Sequence, residues 1–116
     1  PDTASFQHIH LVGSILHYVE QNLSEKLFLQ DIAEKYNYSV TYISKLFKNV
    51  TGSSLVSYII EKRIARARQL MYEDLEITEI AERVGYHNYS NFYKAFKKAV
   101  GISPEEYRRQ LNTFGK

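Results

Sequence analysis

The chain of 116 residues contains no cysteine. Disulfides, thiolate catalysis and zinc-finger ligation are thereby excluded, and a reducing cytoplasm is the expected compartment. No apolar run approaches the roughly 18 residues of a membrane-spanning helix, and nothing resembles a signal peptide, so a soluble, non-exported chain without a membrane partner is expected. Acid is missing from two windows: no Asp or Glu lies between Glu34 and Glu61, or between Glu82 and Glu105. The same windows hold Lys35, Lys45, Lys48, Arg83, Lys94, Lys97 and Lys98. This local imbalance says more than the net charge of +2, in which 15 basic and 13 acidic residues nearly cancel. Metal-ligand spacing is also lacking, because His8, His10 and His17 do not gather as an i, i+4 pair would. No nucleophile converges with a base. Neither a metal, nor another cofactor, nor an enzymatic activity is expected.

What is present is enough for a modest core. With 44% hydrophobic residues, either one compact domain or two small subdomains would fit. The start at Pro1, without a Met, suggests a piece of a larger protein. Ile9, Val12, Leu16, Val19 and Leu23, widened by Leu11, Ile15 and Tyr18, predict an amphipathic first helix from Phe6 to about Asn22. It reads as a helix packed across the segment that follows, although its width also suits a dimer or interdomain surface.

After a connector at 23–28, Leu29, Ile32, Ala33 and Tyr36 show a spacing that returns in Ile77, Ile80, Ala81 and Val84. The chain is internally duplicated. Ala33 aligns with Ala81 at an offset of 48, whereas Phe47 with Phe96 and Gly52 with Gly101 give 49, so the second copy has one extra residue in its turn. Tyr38 then matches Tyr86, Ile43 matches Phe92, Ser54 matches Ser103 and Tyr58 matches Tyr107. Asn37 and Gly85 occupy the same helix-ending position, and both residue types tolerate the left-handed conformation, so both are expected at positive φ. Ser39 and Asn88 stand at the N-caps of the helices that follow. Between the copies, residues 54–72 lack Pro and Gly and predict one long helix of about 27 Å, enough to hold two reader units about one DNA turn apart. The last helix opens on the capping box Ser103-Pro104-Glu105-Glu106. It is expected to end near Leu111, with a frayed tail to Lys116.

From Ile77 to Arg109 a short helix, a Gly turn, a Lys-bearing helix without acid and a capped third helix follow one another, which is the outline of a helix-turn-helix DNA reader. This stretch resembles the AraC/XylS family of bacterial transcription regulators in Ile80-Ala81, Val84-Gly85-Tyr86, Ser90-Asn91-Phe92, Phe96-Lys97, Gly101-Ile102-Ser103-Pro104 and Tyr107-Arg108. Over both copies the resemblance runs from about Leu29 to Arg109. It departs from the family at Phe28, where a capping Ser or Thr is usual, so a poorer cap is expected there. The resemblance implies an all-α fold of about seven helices. Two helix-turn-helix subdomains, 1–53 with the first helix and 73–116, would be joined by a linker helix at 54–72.

The implied function is sequence-specific binding of double-stranded DNA, as the output domain of a ligand-controlled regulator or a two-component response regulator. The implied base readers are Val40, Thr41, Ser44 and Lys45 in the first copy and Tyr89, Ser90, Tyr93 and Lys94, with Asn91, in the second. Lys48, Lys97 and Lys98 suit phosphate, as do Ser39, Tyr42, His87 and Asn88 at the helix starts and turn. Implied partners are RNA polymerase, for an activator, and an N-terminal effector or receiver domain, with this fragment itself monomeric on an asymmetric site. The ten tyrosines could suggest stacking on single strands, but Tyr38, Tyr58, Tyr86 and Tyr107 fall at equivalent positions and are expected to pack with their hydroxyls at the surface. A helical protein-interaction module would explain the broad first stripe without requiring two acid-free copies. The DNA-holding part of a repair methyltransferase would require a Cys-bearing domain elsewhere.

Overall fold

The computed structural model describes residues 3–114, with side chains from Phe6 onward. Pro1 and the end of the expected frayed tail lie outside the described residues. Seven helices and no strand occur among those described: α1 (Thr3–Gln21), α2 (Leu29–Lys35), α3 (Val40–Thr51), α4 (Leu55–Leu70), α5 (Ile77–Arg83), α6 (Tyr89–Val100) and α7 (Pro104–Phe114). The long helix is shorter than the sequence suggests. Its 16 residues, about 24 Å, start after Ser54, whose hydroxyl accepts from the Ser57 N–H at 3.1 Å. Conversely, α7 continues to Phe114, one turn past the expected end at Leu111.

The chain divides into two compact units between Ile59 and Ile60, inside α4. The first core gathers Val12, Ile15 and Val19 of α1, Ile32 and Ala33 of α2, Ile43, Leu46 and Phe47 of α3, and Leu55 and Ile59 of α4. The second gathers Ile64, Ala67, Leu70 and Met71 with Ile80, Ala81 and Val84, and with Phe92 and Phe96 of α6. The duplication therefore extends beyond the two short helices and the turn. Buried Ile64, Ala67 and Met71 repeat the three-four spacing of buried Val12, Ile15 and Val19, so the second half of α4 serves the second unit as α1 serves the first. The start of α4 serves the first unit as α7 serves the second. Tyr58 packs its ring 5.7 Å from Phe47, and Tyr107 packs 5.5 Å from Phe96.

The turns begin alike, although the second runs one residue longer before its cap. Asn37 has φ 65° and Gly85 φ 102°, both left-handed, as the alignment requires. The Asn37 N–H bonds the Glu34 carbonyl at 3.1 Å and the Gly85 N–H bonds Glu82 at 3.0 Å, while Tyr38 and Tyr86 both reach back to the preceding alanine, Ala33 or Ala81, at 2.9 Å. α3 and α6 end alike, on left-handed Gly52 and Gly101. A β-branched side chain is strained at such a φ, so Gly85→Val is expected to cost about 1–2 kcal/mol. Urea unfolding followed by circular dichroism measures it, and an unchanged midpoint would show that the turn does not depend on a left-handed residue.

Candidate nucleic-acid interface

α3 and α6 are each 12 residues long and begin on a side-chain cap. The Ser39 hydroxyl accepts the Tyr42 N–H and the Asn88 side-chain oxygen accepts the Asn91 N–H, each at 3.1 Å. α2 and α5 lack such caps: neither Phe28 nor Glu76 accepts a side-chain hydrogen bond. The better-anchored helix of each pair is the one proposed to read. Each of these two helices turns one apolar side inward, through Ile43, Leu46 and Phe47 in α3 and through Phe92 and Phe96 in α6.

On the outward side, Thr41, Tyr42, Lys45 and Lys48 of α3 and Ser90, Asn91, Lys94, Lys97 and Lys98 of α6 are exposed, with Ser39 and Asn88 at the caps. Ser44 and Tyr93 are half-buried. No acid lies in the first turn of either helix, so the positive end of the helix dipole is unopposed by the helix's own side chains. Lys48 lies in the last turn of α3, and Lys97 and Lys98 in that of α6.

Val40 and Tyr89, equivalent first residues of the two readers, are instead packed partly against their cores. The Tyr89 hydroxyl donates to Glu105 of α7, and its ring lies 5.9 Å from Phe92. Burial, together with that carboxylate, pushes its ionisation well above the ordinary tyrosine range. The second window is thus free of acid in sequence but not in space, because the capping box of α7 brings Glu105 to the first residue of α6. His87 neither caps nor stands clear. Its Nδ1 lies 3.9 Å from a Glu82 oxygen, with both side chains largely exposed.

The tyrosine expectation holds unevenly. The Tyr58 hydroxyl donates to Glu20 at 2.8 Å and that of Tyr107 accepts from the Arg68 Nε at 3.3 Å. Tyr38 is exposed and stacks on Tyr42, centroids 4.7 Å apart. Tyr86 contradicts the expectation: its hydroxyl is buried and without a hydrogen-bond partner among the described residues, because the ring is drawn in beside Phe92 and under the Arg63 guanidinium. Burial raises the Tyr86 hydroxyl's pKa and lowers that of Arg63.

Two residues with structural consequences have no signature in sequence spacing. Arg108 forks onto the carbonyls of Met71 and Glu73, at 3.2 and 3.3 Å, and also donates to that of Leu75. His8 of α1 places its Nε2 3.2 Å from the Tyr42 hydroxyl. Among the described residues no cluster of His, Asp or Glu could hold a metal ion, and no helix is long and apolar enough to cross a membrane.

Residues 32–110 match the sequence pattern of a helix-turn-helix domain family. The chain is 39% identical over 102 residues to the HTH-type transcriptional regulator YdiP of Escherichia coli K12, covering 87% of this chain and 34% of YdiP. It is 35% identical to the Transposon Tn10 TetD protein of Escherichia coli, covering 88% of this chain and 75% of TetD. The C-terminal domain of AraT, a response regulator from Geobacillus stearothermophilus, superposes with a TM-score of 0.83 at 38% identity, covering 86% of this chain and 84% of that one. The chain therefore spans about a third of the length of YdiP, and only 14% of the Bacillus subtilis regulator YtdP, to which it is 33% identical.

Proposed function

The chain belongs to the AraC-type family of helix-turn-helix transcription regulators, and from that premise we propose that it binds double-stranded DNA sequence-specifically as the output domain of a cytoplasmic regulator. The family is one of regulators rather than enzymes. The observation that carries the reading is the pair of capped helices α3 and α6, which expose Thr41, Tyr42 and Lys45, and Ser90, Asn91 and Lys94, at equivalent positions with no acid of their own. Small or singly charged side chains give few bidentate base contacts, so DNA shape supplies part of the specificity. Helix N-termini, Ser39, Tyr42, His87, Asn88 and the distal lysines Lys48, Lys97 and Lys98 hold phosphate.

Because the two readers carry unlike residues in one chain, a single copy of this chain recognises two unlike half-sites, and no palindrome is required. In the whole protein, an N-terminal effector or receiver domain supplies the signal, and RNA polymerase is the partner if the protein activates.

Duplex titrations over a range of salt test the reading. Lys48→Ala and Lys97→Ala should each weaken binding to specific and random duplexes alike and reduce the log–log salt slope by about 0.9. Lys45→Ala and Lys94→Ala should change sequence preference as well. If all four substitutions act identically on selected and random DNA, the division between base readers and phosphate contacts is wrong.

A further inference from the structure

Tyr42 stands in the first turn of α3, and its ring is held from two sides. Tyr38 stacks on it, centroids 4.7 Å apart and planes 20° apart. The His8 ring meets it edge-on at 6.4 Å and 71°, with Nε2 3.2 Å from the hydroxyl. His8 is 34 residues away, on α1, so the pair ties the first helix to the proposed reading edge. Among the described residues the second unit shows nothing equivalent. Asn91 stands at the position of Tyr42, and at the burial-matched offset of 52 that aligns Val12 with Ile64, His8 falls on Ile60. The second unit is instead richer in fixed charge, with Lys98 where the first has Asn49.

We infer that His8 is a positioning residue for a DNA-backbone contact made by Tyr42; the inference rests on the DNA-binding reading above. A phosphate oxygen only accepts hydrogen bonds, and a phenol has one proton to give. If that proton goes to His8, none is left for phosphate. When His8 carries a proton on Nε2, it donates to the Tyr42 oxygen and the phenolic hydrogen turns outward to the backbone. An imidazolium has N–H groups on both ring nitrogens, so acidification fixes this direction. The charged and titratable groups of α3 that face His8 across the hollow between α1 and α3, about 540 Å³, are Tyr42 and Lys45. On α1 itself, His10 is the neighbouring titratable group. The first reader thus grips the backbone more tightly as pH falls, and the second does not share this device.

Fluorescence anisotropy of the whole chain on a selected duplex between pH 5.5 and 8 tests this. His8→Ala should weaken binding about 3- to 10-fold at pH 6, the net worth of one ordinary hydrogen bond, and less at pH 8. His8→Gln, whose amide can donate to the hydroxyl, should keep most of the affinity while flattening the pH profile. Tyr42→Phe should match His8→Ala, with the double substitution no worse than either. Wild-type affinity for both His8 variants at every pH, or independent addition of the His8 and Tyr42 effects, would overturn the inference. Failure of the wild-type chain to bind any duplex would overturn the DNA reading beneath it. In the free protein, ring ¹⁵N shifts should show the proton on His8 Nε2 at pH 6, and a bare Nε2 there would overturn the donor direction whatever the binding result.

Discussion

Phe96→Ala is expected to remove about 3–5 kcal/mol from the second unit, the usual loss for truncating a fully buried aromatic ring. Phe96 is 0% exposed, with its ring 5.7 Å from that of Phe92 and 5.5 Å from that of Tyr107, so it joins α6 to α7. The space can be refilled only by moving residues such as Met71, Ile80, Ala81 and Val84, which share this core and are themselves buried. A unit of this size has about 3–9 kcal/mol of stability in total, so the loss is comparable with everything it has. Amide spectra should show the resonances of 77–114 collapsing while those of Ile43 and Phe47 stay native. Simultaneous loss of both sets would mean that the two units fold as one cooperative block.

Arg108→Ala is expected to cost about 2–4 kcal/mol, and Arg108→Lys should restore less than half of it. Just past α4, which ends at Leu70, the connector carbonyls of Met71, Glu73 and Leu75 are met by the one guanidinium. The Glu73 carbonyl also accepts the Leu75 N–H at 2.9 Å, so alanine chiefly strips the Met71 and Leu75 carbonyls of their donor. An ammonium is a point donor and cannot span all three. The first unit does not use this device: Ile59, at the position equivalent to Arg108, is buried in its core, and its connector is closed locally by Asn22, which donates from its side chain to the Tyr18 carbonyl at 2.8 Å. Hydrogen exchange at residues 72–78 should accelerate in Arg108→Ala while the exchange of 22–28 is unchanged. Equal protection in variant and wild type would show that the connector does not depend on the fork.

Features that repeat with a period are legible in the amino-acid sequence. The stripes, the left-handed Asn37 and Gly85 and the Ser39 and Asn88 caps follow from spacing and residue type, because each depends on neighbours within a few positions; the duplication shows as that pattern returning, and the bare Phe28 is implied by the family resemblance. Contacts made across the chain are not legible in that way. That Glu105 engages Tyr89, or that His8 meets Tyr42, depends on how α7 and α1 pack, and neither pair has a sequence period. Tyr86 shows the limit of the duplication itself: it shares its backbone bond with Tyr38, yet one phenol is buried and the other exposed, because Phe92 replaces Ile43 beside it. Equal positions predict equal backbones better than equal side-chain environments.

Two four-helix units would ordinarily need eight helices, yet seven occur among the described residues, because α4 closes one unit and opens the next. The chain thus obeys a growth law in which n readers need 3n + 1 helices, and a third reader would add three. Recombination that exchanges one reader for another must therefore cut inside a helix, and it succeeds only if the residues facing both cores, Leu55 and Ile59 on one side and Ile64 and Ala67 on the other, are inherited with the right partners. Selection on one reader is then never wholly free of the other, even when the two bind unrelated sequences.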